Sequence, residues 1–172
     1  MPDSFKHNVS LLGAGQATKK QCWYASFRMI TKLSGAAVKD KLVGGGIDFE
    51  DAMANGLLDT DYQKAANALD LDTWSGELFK KEAGFFDMGL TDGAEAFLAL
   101  LKVRPLWVSR FMEQGSYHAV LATGYNDDGK GYIIYNNPYP GRDNAVEDGT
   151  IPANIFVKHI TSAKGSVMRA KS

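Results

Sequence analysis

The hydrophobic pattern of the chain changes period at Arg104-Pro105, and that change narrows the possible folds more than any other feature. Before it, apolar residues recur at helical spacing: Trp23, Phe27, Ile30 and Leu33, then Tyr62, Ala65, Ala66 and Leu69, then Ala94, Phe97, Leu98 and Leu101. After it come three strand-like runs, Leu106 to Phe111, His118 to Tyr125 and Gly131 to Asn136. Asn126-Asp127-Asp128-Gly129 is a strong turn signal and pairs the last two as a hairpin. Helices first and strands second predict an α+β domain, with an N-terminal helical part packed on a C-terminal antiparallel sheet.

Within that frame the first helix is expected from about Cys22 to Leu33, stopped by Ser34-Gly35, followed by a short helix from Ala37 to Val43. Val9 to Leu12 reads as an extended entry segment, and Gly13-Ala14-Gly15 as the turn leading to Gln16. The acidic stretch of Asp48, Glu50, Asp51, Asp59 and Asp61 reads as a solvated face, with a substrate or partner patch as the alternative. Leu71 to Trp74 is a short strand, Thr91 or Asp92 caps a helix running to about Val103, and Gly76 to Gly89 carries no clear pattern. A last apolar run, Ile155 to Ile160, is expected as a strand before a mobile basic tail holding Lys164, Arg169 and Lys171. At 172 residues, 45% of them hydrophobic, the chain fits one domain, with a core of about 9–160 and the tail at 161–172.

Nineteen basic against twenty acidic residues give a net charge of −1, which points to neither nucleic acid nor a membrane surface as partner. One cysteine excludes an intrachain disulfide and a cysteine-rich metal site, and His7, His118 and His159 are too scattered for a metal motif, so no cofactor is expected. Met1 to His7 lacks the apolar run of a signal peptide, and no segment is long enough to span a bilayer, so synthesis in a cytosol is expected.

A lone cysteine is ordinarily a small buried apolar side chain. Cys22 differs in standing at a helix start, where unpaired N–H groups and the macrodipole favour the thiolate. A nucleophilic thiolate needs a base. His7 lies in a polar terminus and His159 beside Lys158, whereas His118 opens a strand between the polar turn Gln114-Gly115-Ser116 and the apolar run Ala119-Val120-Leu121. Asn137, at the end of the strand paired with that of His118, is placed to orient the imidazole. Asn136 is the alternative, and because alternate residues of a strand face opposite sides, one of the two points at His118. The oxyanion that forms on attack needs donors, which the Cys22 backbone N–H and the Gln16 side-chain amide can supply. Gln21, next to Cys22, is given no role.

Gln16 five residues before Cys22-Trp23, then Arg104-Pro105, Ser116-Tyr117-His118-Ala119-Val120, Gly124-Tyr125 and Asn137-Pro138 in that order resemble the papain-like cysteine peptidases. The similarity is greatest to their compact bacterial branches, the AvrRpt2-like effector peptidases and the double-glycine, bacteriocin-processing peptidases. It covers about Val9 to Gly141. Asn137 stands where many bacterial relatives have Asp, which changes the charge beside His118 but not the capacity to orient it. The resemblance implies a papain-like fold, Cys22 as nucleophile, His118 as general base and acid, Asn137 as orienter and Gln16 as oxyanion donor.

The function expected from these residues is hydrolysis of peptide bonds in a protein or peptide substrate through an acyl-enzyme on Cys22. The resemblance further implies a bacterial toxin or effector module, delivered into another cell by a specialised secretion route and restrained in the producer by a cognate immunity protein. If it follows the double-glycine branch, it cuts after small residues such as Gly-Gly. The same site could instead serve an amidase, deamidase or acyl transferase, for example on peptidoglycan peptides. A non-catalytic binding module on a peptidase fold is the third reading, and the presence of all four polar side chains argues against it.

Overall fold

The computed structural model describes residues 3–11, 19–80, 89–111, 117–138 and 146–171. Seven strands form one sheet: β1 (Phe5–Lys6), β2 (Leu71–Trp74), β3 (Leu106–Phe111), β4 (Tyr117–Asn126), β5 (Tyr132–Asn137), β6 (Val146–Pro152) and β7 (Val167–Ala170). Their order is β2-β7-β3-β4-β5-β6, with β1 paired to the far part of β4, and every pairing is antiparallel. Six α-helices complete the α+β fold: α1 (Cys22–Thr31), α2 (Gly35–Gly44), α3 (Phe49–Asn55), α4 (Tyr62–Ala68), α5 (Asp92–Val103) and α6 (Ala153–Lys158).

Apolar side chains on both faces of β3 and β4 explain why these strands read as continuous hydrophobic runs. Trp107, Ala119, Leu121 and Met168 pack against α1 to α4 on one face. Leu106, Val108, Val120 and Val167 pack against α5, α6 and Phe79 on the other. The expectation of one helical part on one face is therefore refined, because α5 crosses to the opposite side of the sheet from α1.

Several boundaries differ from expectation, each for a local reason. Helix α1 ends not at Ser34-Gly35 but at Lys32, which takes the left-handed conformation (φ 58°) and donates its N–H to Arg28 O. Ser34 instead starts α2, its side chain accepting from the Ala37 N–H. The acidic stretch contains α3, capped by Asp48, with Glu50 and Asp51 favourably placed in its first turn. Thr91 caps α5 through the Ala94 N–H, and Asp92 is the first residue of the helix. A short strand not expected from the sequence, Phe5–Lys6, comes before the entry segment, of which Leu12 lies outside the described residues.

Two corrections concern the C-terminal part. The run Ile155 to Ile160 is mostly helix α6, with Ala153, Phe156 and Val157 buried at helical spacing. A short apolar run fits helix and strand alike, and packing on α5 decides it. The stretch expected as a mobile tail contains β7, which lies inside the sheet between β2 and β3. Its basic residues meet acids on β2 and at its start, Arg169 with Asp72 at 3.5 Å and Lys171 with Asp70 at 2.6 Å.

Candidate active site

The site forms where the start of α1 meets the start of β4. Gln21, the residue before α1, makes no side-chain cap, so the first N–H groups of the helix lie open toward the Cys22 side chain. The Cys22 and Trp23 N–H groups both act on the sulfur. A third N–H comes from the sheet: Ala119 N donates to Cys22 Sγ at 3.3 Å. Ser26, one turn further along α1, donates through Oγ to Ala119 O at 3.3 Å. Both backbone groups of Ala119 are thus tied to α1, which fixes the thiol against the strand that carries His118.

The backbone of β3 explains why Ala119 has groups to offer. Ser109, its cross-strand partner, donates its N–H to Ser166 O and accepts from Thr161 N, so this pair does not bond to itself across the ladder. The Ala119 N–H and C=O therefore point away from β3, toward α1. Beneath them Tyr62 and Ser109 share a hydrogen bond of 2.8 Å. Burial raises the Tyr62 phenol to about 12, with Cys22 among the groups acting on it.

His118 and Asn137 come together through strand register. Ala122 pairs with Tyr135 and Leu121 with Asn136, so Tyr135 and Asn137 share the face of Ala122 and His118. The His118 Nε2 is hydrogen-bonded to Asn137 Oδ1. An amide oxygen only accepts, so neutral His118 carries its proton on Nε2, and Nδ1 is the basic nitrogen. Asn136 faces the other way: it donates through Nδ2 to Val9 O at 2.8 Å and accepts from Asp148 N at 3.1 Å. The choice between the two asparagines that periodicity left open is thus made by register.

Burial and hydrogen bonding act in opposite senses on both members of the pair. Burial pushes the Cys22 thiol up, and the N–H groups of Ala119, Trp23 and Cys22 offset this in part. Burial pulls His118 down, opposed by its bond to Asn137 and reinforced by the charge of Arg110.

Gln16 and Ser116 lie outside the described residues. His7 and His159 are elsewhere, His7 on Leu101 O and His159 on Ile155 O. Ala119, Ser26 and Arg110 were not singled out from sequence. For Arg110 a signal existed, a cation inside the apolar run Leu-Trp-Val-Ser-Arg-Phe. Among the described residues no three His, Cys, Asp or Glu side chains are grouped as metal ligands would be, and no helix is long and apolar enough to cross a membrane.

A cysteine at a helix start, set against a His-Asn pair on adjacent antiparallel strands, is the layout of the thiol hydrolases. The chain belongs to the papain-like cysteine protease AvrRpt2 family, whose model matches residues 4–149, and it is a cysteine peptidase. That match stops within β6, before α6 and β7. A search of curated proteins found no match to the chain.

Proposed function

We propose that the chain cleaves peptide bonds of a protein substrate through an acyl-enzyme on Cys22, with His118 as general base and acid and Asn137 as its orienter. The observation carrying this reading is the hydrogen-bonded chain Asn137 Oδ1 to His118 Nε2, on the residue preceding the Ala119 N–H that contacts Cys22 Sγ. It leaves Nδ1 to take the thiol proton, so that sulfur attacks the carbonyl carbon while the imidazole becomes imidazolium. The tetrahedral oxyanion is met by the Cys22 N–H and by Gln16. Collapse breaks the C–N bond, the imidazolium proton leaves with the amine, and water repeats the sequence on the thioester.

The biological setting we propose is that of an effector or toxin module acting on a protein in another cell, held in check at its source by a cognate inhibitor. Cleavage after small residues is the substrate preference consistent with this reading.

Removing Cys22 or His118 by alanine should cut kcat/KM by about four orders of magnitude or more, with circular dichroism unchanged. Full activity in purified Cys22→Ala would sink the proposal. The inactive variant, used as bait in a lysate and read by mass spectrometry, identifies the substrate. A peptide library favouring bulky residues before the cut would overturn the small-residue preference.

A further inference from the structure

Ser26 is fully buried on α1, one helical turn after Cys22. A serine hydroxyl inside a helix commonly returns to the carbonyl four residues back, which here belongs to Cys22. Ser26 Oγ reaches across to β4 instead and donates to Ala119 O at 3.3 Å. The core on this face is built from apolar side chains, Trp23, Phe27, Trp107 and Leu121 among them. A hydroxyl there carries a desolvation cost that an alanine would not.

The edge of β4 explains the hydroxyl. Among the described residues β5 pairs with β4 from Leu121 onward, so Ala119 has β3 on one side and no strand on the other. Its N–H and C=O point to that open side. Cys22 and Ser26, four residues apart and so on one side of α1, take the place of the absent strand. The Ala119 N–H donates to Cys22 Sγ at 3.3 Å, and the C=O accepts from Ser26. Fixing the carbonyl limits rotation of the backbone at Ala119, and with it the direction of the N–H on the same residue.

We propose that Ser26 is a positioning residue: by holding the Ala119 carbonyl it keeps the Ala119 N–H on Cys22 Sγ, and so gives the sulfur a donor from the sheet as it leaves the acyl group. This rests on the acyl-enzyme reading above. In the second half of that reaction water adds to the thioester carbonyl carbon as its proton passes to His118. The tetrahedral intermediate then breaks its C–S bond, the electron pair goes to Sγ, and the acyl group departs as the carboxylic acid. Charge arrives on Sγ in this step, and an N–H already aimed there stabilises the leaving thiolate without reorganising. A thioester sulfur is a weak acceptor, so the bond gives little to the acyl-enzyme and its gain falls on the transition state.

The test uses the whole chain and an ester of a peptide ending in Gly-Gly, whose alcohol leaves readily and makes deacylation the slow step. Ser26→Ala should lower kcat and KM together, each about 10-fold, the effect of one hydrogen bond to a charged group, with kcat/KM nearly unchanged. Acyl-enzyme then builds up and is seen by intact-protein mass spectrometry. A smaller folded fraction would lower kcat and leave KM where it was, and that result overturns the proposal. Ser26→Cys, of the same shape but a weaker donor, should fall between parent and alanine, and it carries the comparison if Ser26→Ala does not fold.

A second readout needs no turnover. The Ala119 amide proton, followed by NMR, should shift when Cys22→Ala is made in the parent and stay in place when it is made in the Ser26→Ala chain. Equal shifts in both chains overturn the proposal, whether or not the ester is hydrolysed. Failure of the peptidase reading is a different result, full activity in Cys22→Ala.

Discussion

Asn136 and Asn137 are chemically identical neighbours whose tasks differ because a strand turns successive side chains to opposite faces. Asn136 is fully buried and satisfies Val9 O and Asp148 N, so Asn136→Ala would leave two backbone groups without partners. It should cost about 1–3 kcal/mol of stability, read by urea denaturation, with a smaller effect on turnover. Asn137→Ala should do the reverse, lowering kcat/KM by about 10- to 100-fold with little change in the unfolding midpoint. The ionisation of the pair adds a pH signature. His118 is held below its ordinary 6.5, so its contribution to stability is full above that pH and falls as the pH drops toward its folded value. Cys22 is held above its ordinary 9.0, so its contribution is full below that pH and falls as the pH rises, because the unfolded chain loses the proton first. In urea titrations His118→Gln should lessen the acid-side fall and Cys22→Ala the alkaline one. Equal slopes in parent and variants would contradict the burial of both groups.

At the scale of elements, α1 is held to the sheet by aromatic packing on β3 as well as by Ala119 on β4. Trp107 is fully buried, stacks on Phe27 at 5.0 Å and 11°, and donates Nε1 to Trp23 O at 3.2 Å. The carbonyl that accepts belongs to the residue after Cys22, so the same contact that stabilises the core also sets the start of the helix. Trp107→Phe should keep a ring but lose the hydrogen bond and leave a void, costing about 2–4 kcal/mol. Because it loosens the seat of Cys22, the proposed nucleophile, kcat should fall more than KM rises, a split that steady-state kinetics with a peptide substrate resolves. Elements with a side-chain cap or a clear period of their own, such as α1, α2 and α5, were legible along the chain. Helix α6 was not, because six residues carry too few turns to separate one period from the other and its contact with α5 settles the matter.

The whole molecule depends on its last strand. β7 pairs with β2 from the helical first half and with β3 from the sheet-rich second half, and Val167 and Met168 enter the cores on opposite faces. Truncation after Ser166 should expose the facing edges of β2 and β3 and prevent cooperative folding, seen as loss of the thermal transition and rapid proteolysis. A truncated chain that melts like the parent would show β7 to be dispensable. This strand was read as a tail because its charges, Arg169 and Lys171, find their acids about a hundred residues earlier at Asp72 and Asp70. Local physics made legible along the chain the switch from helical to strand period, most element positions, and a cysteine, a histidine and an asparagine in family order. Tertiary structure alone decided which asparagine meets His118, that β7 completes the sheet, and that Arg110 stands beside the imidazole. Those outcomes follow from register and packing between segments far apart in the chain, which the period of any one segment does not encode.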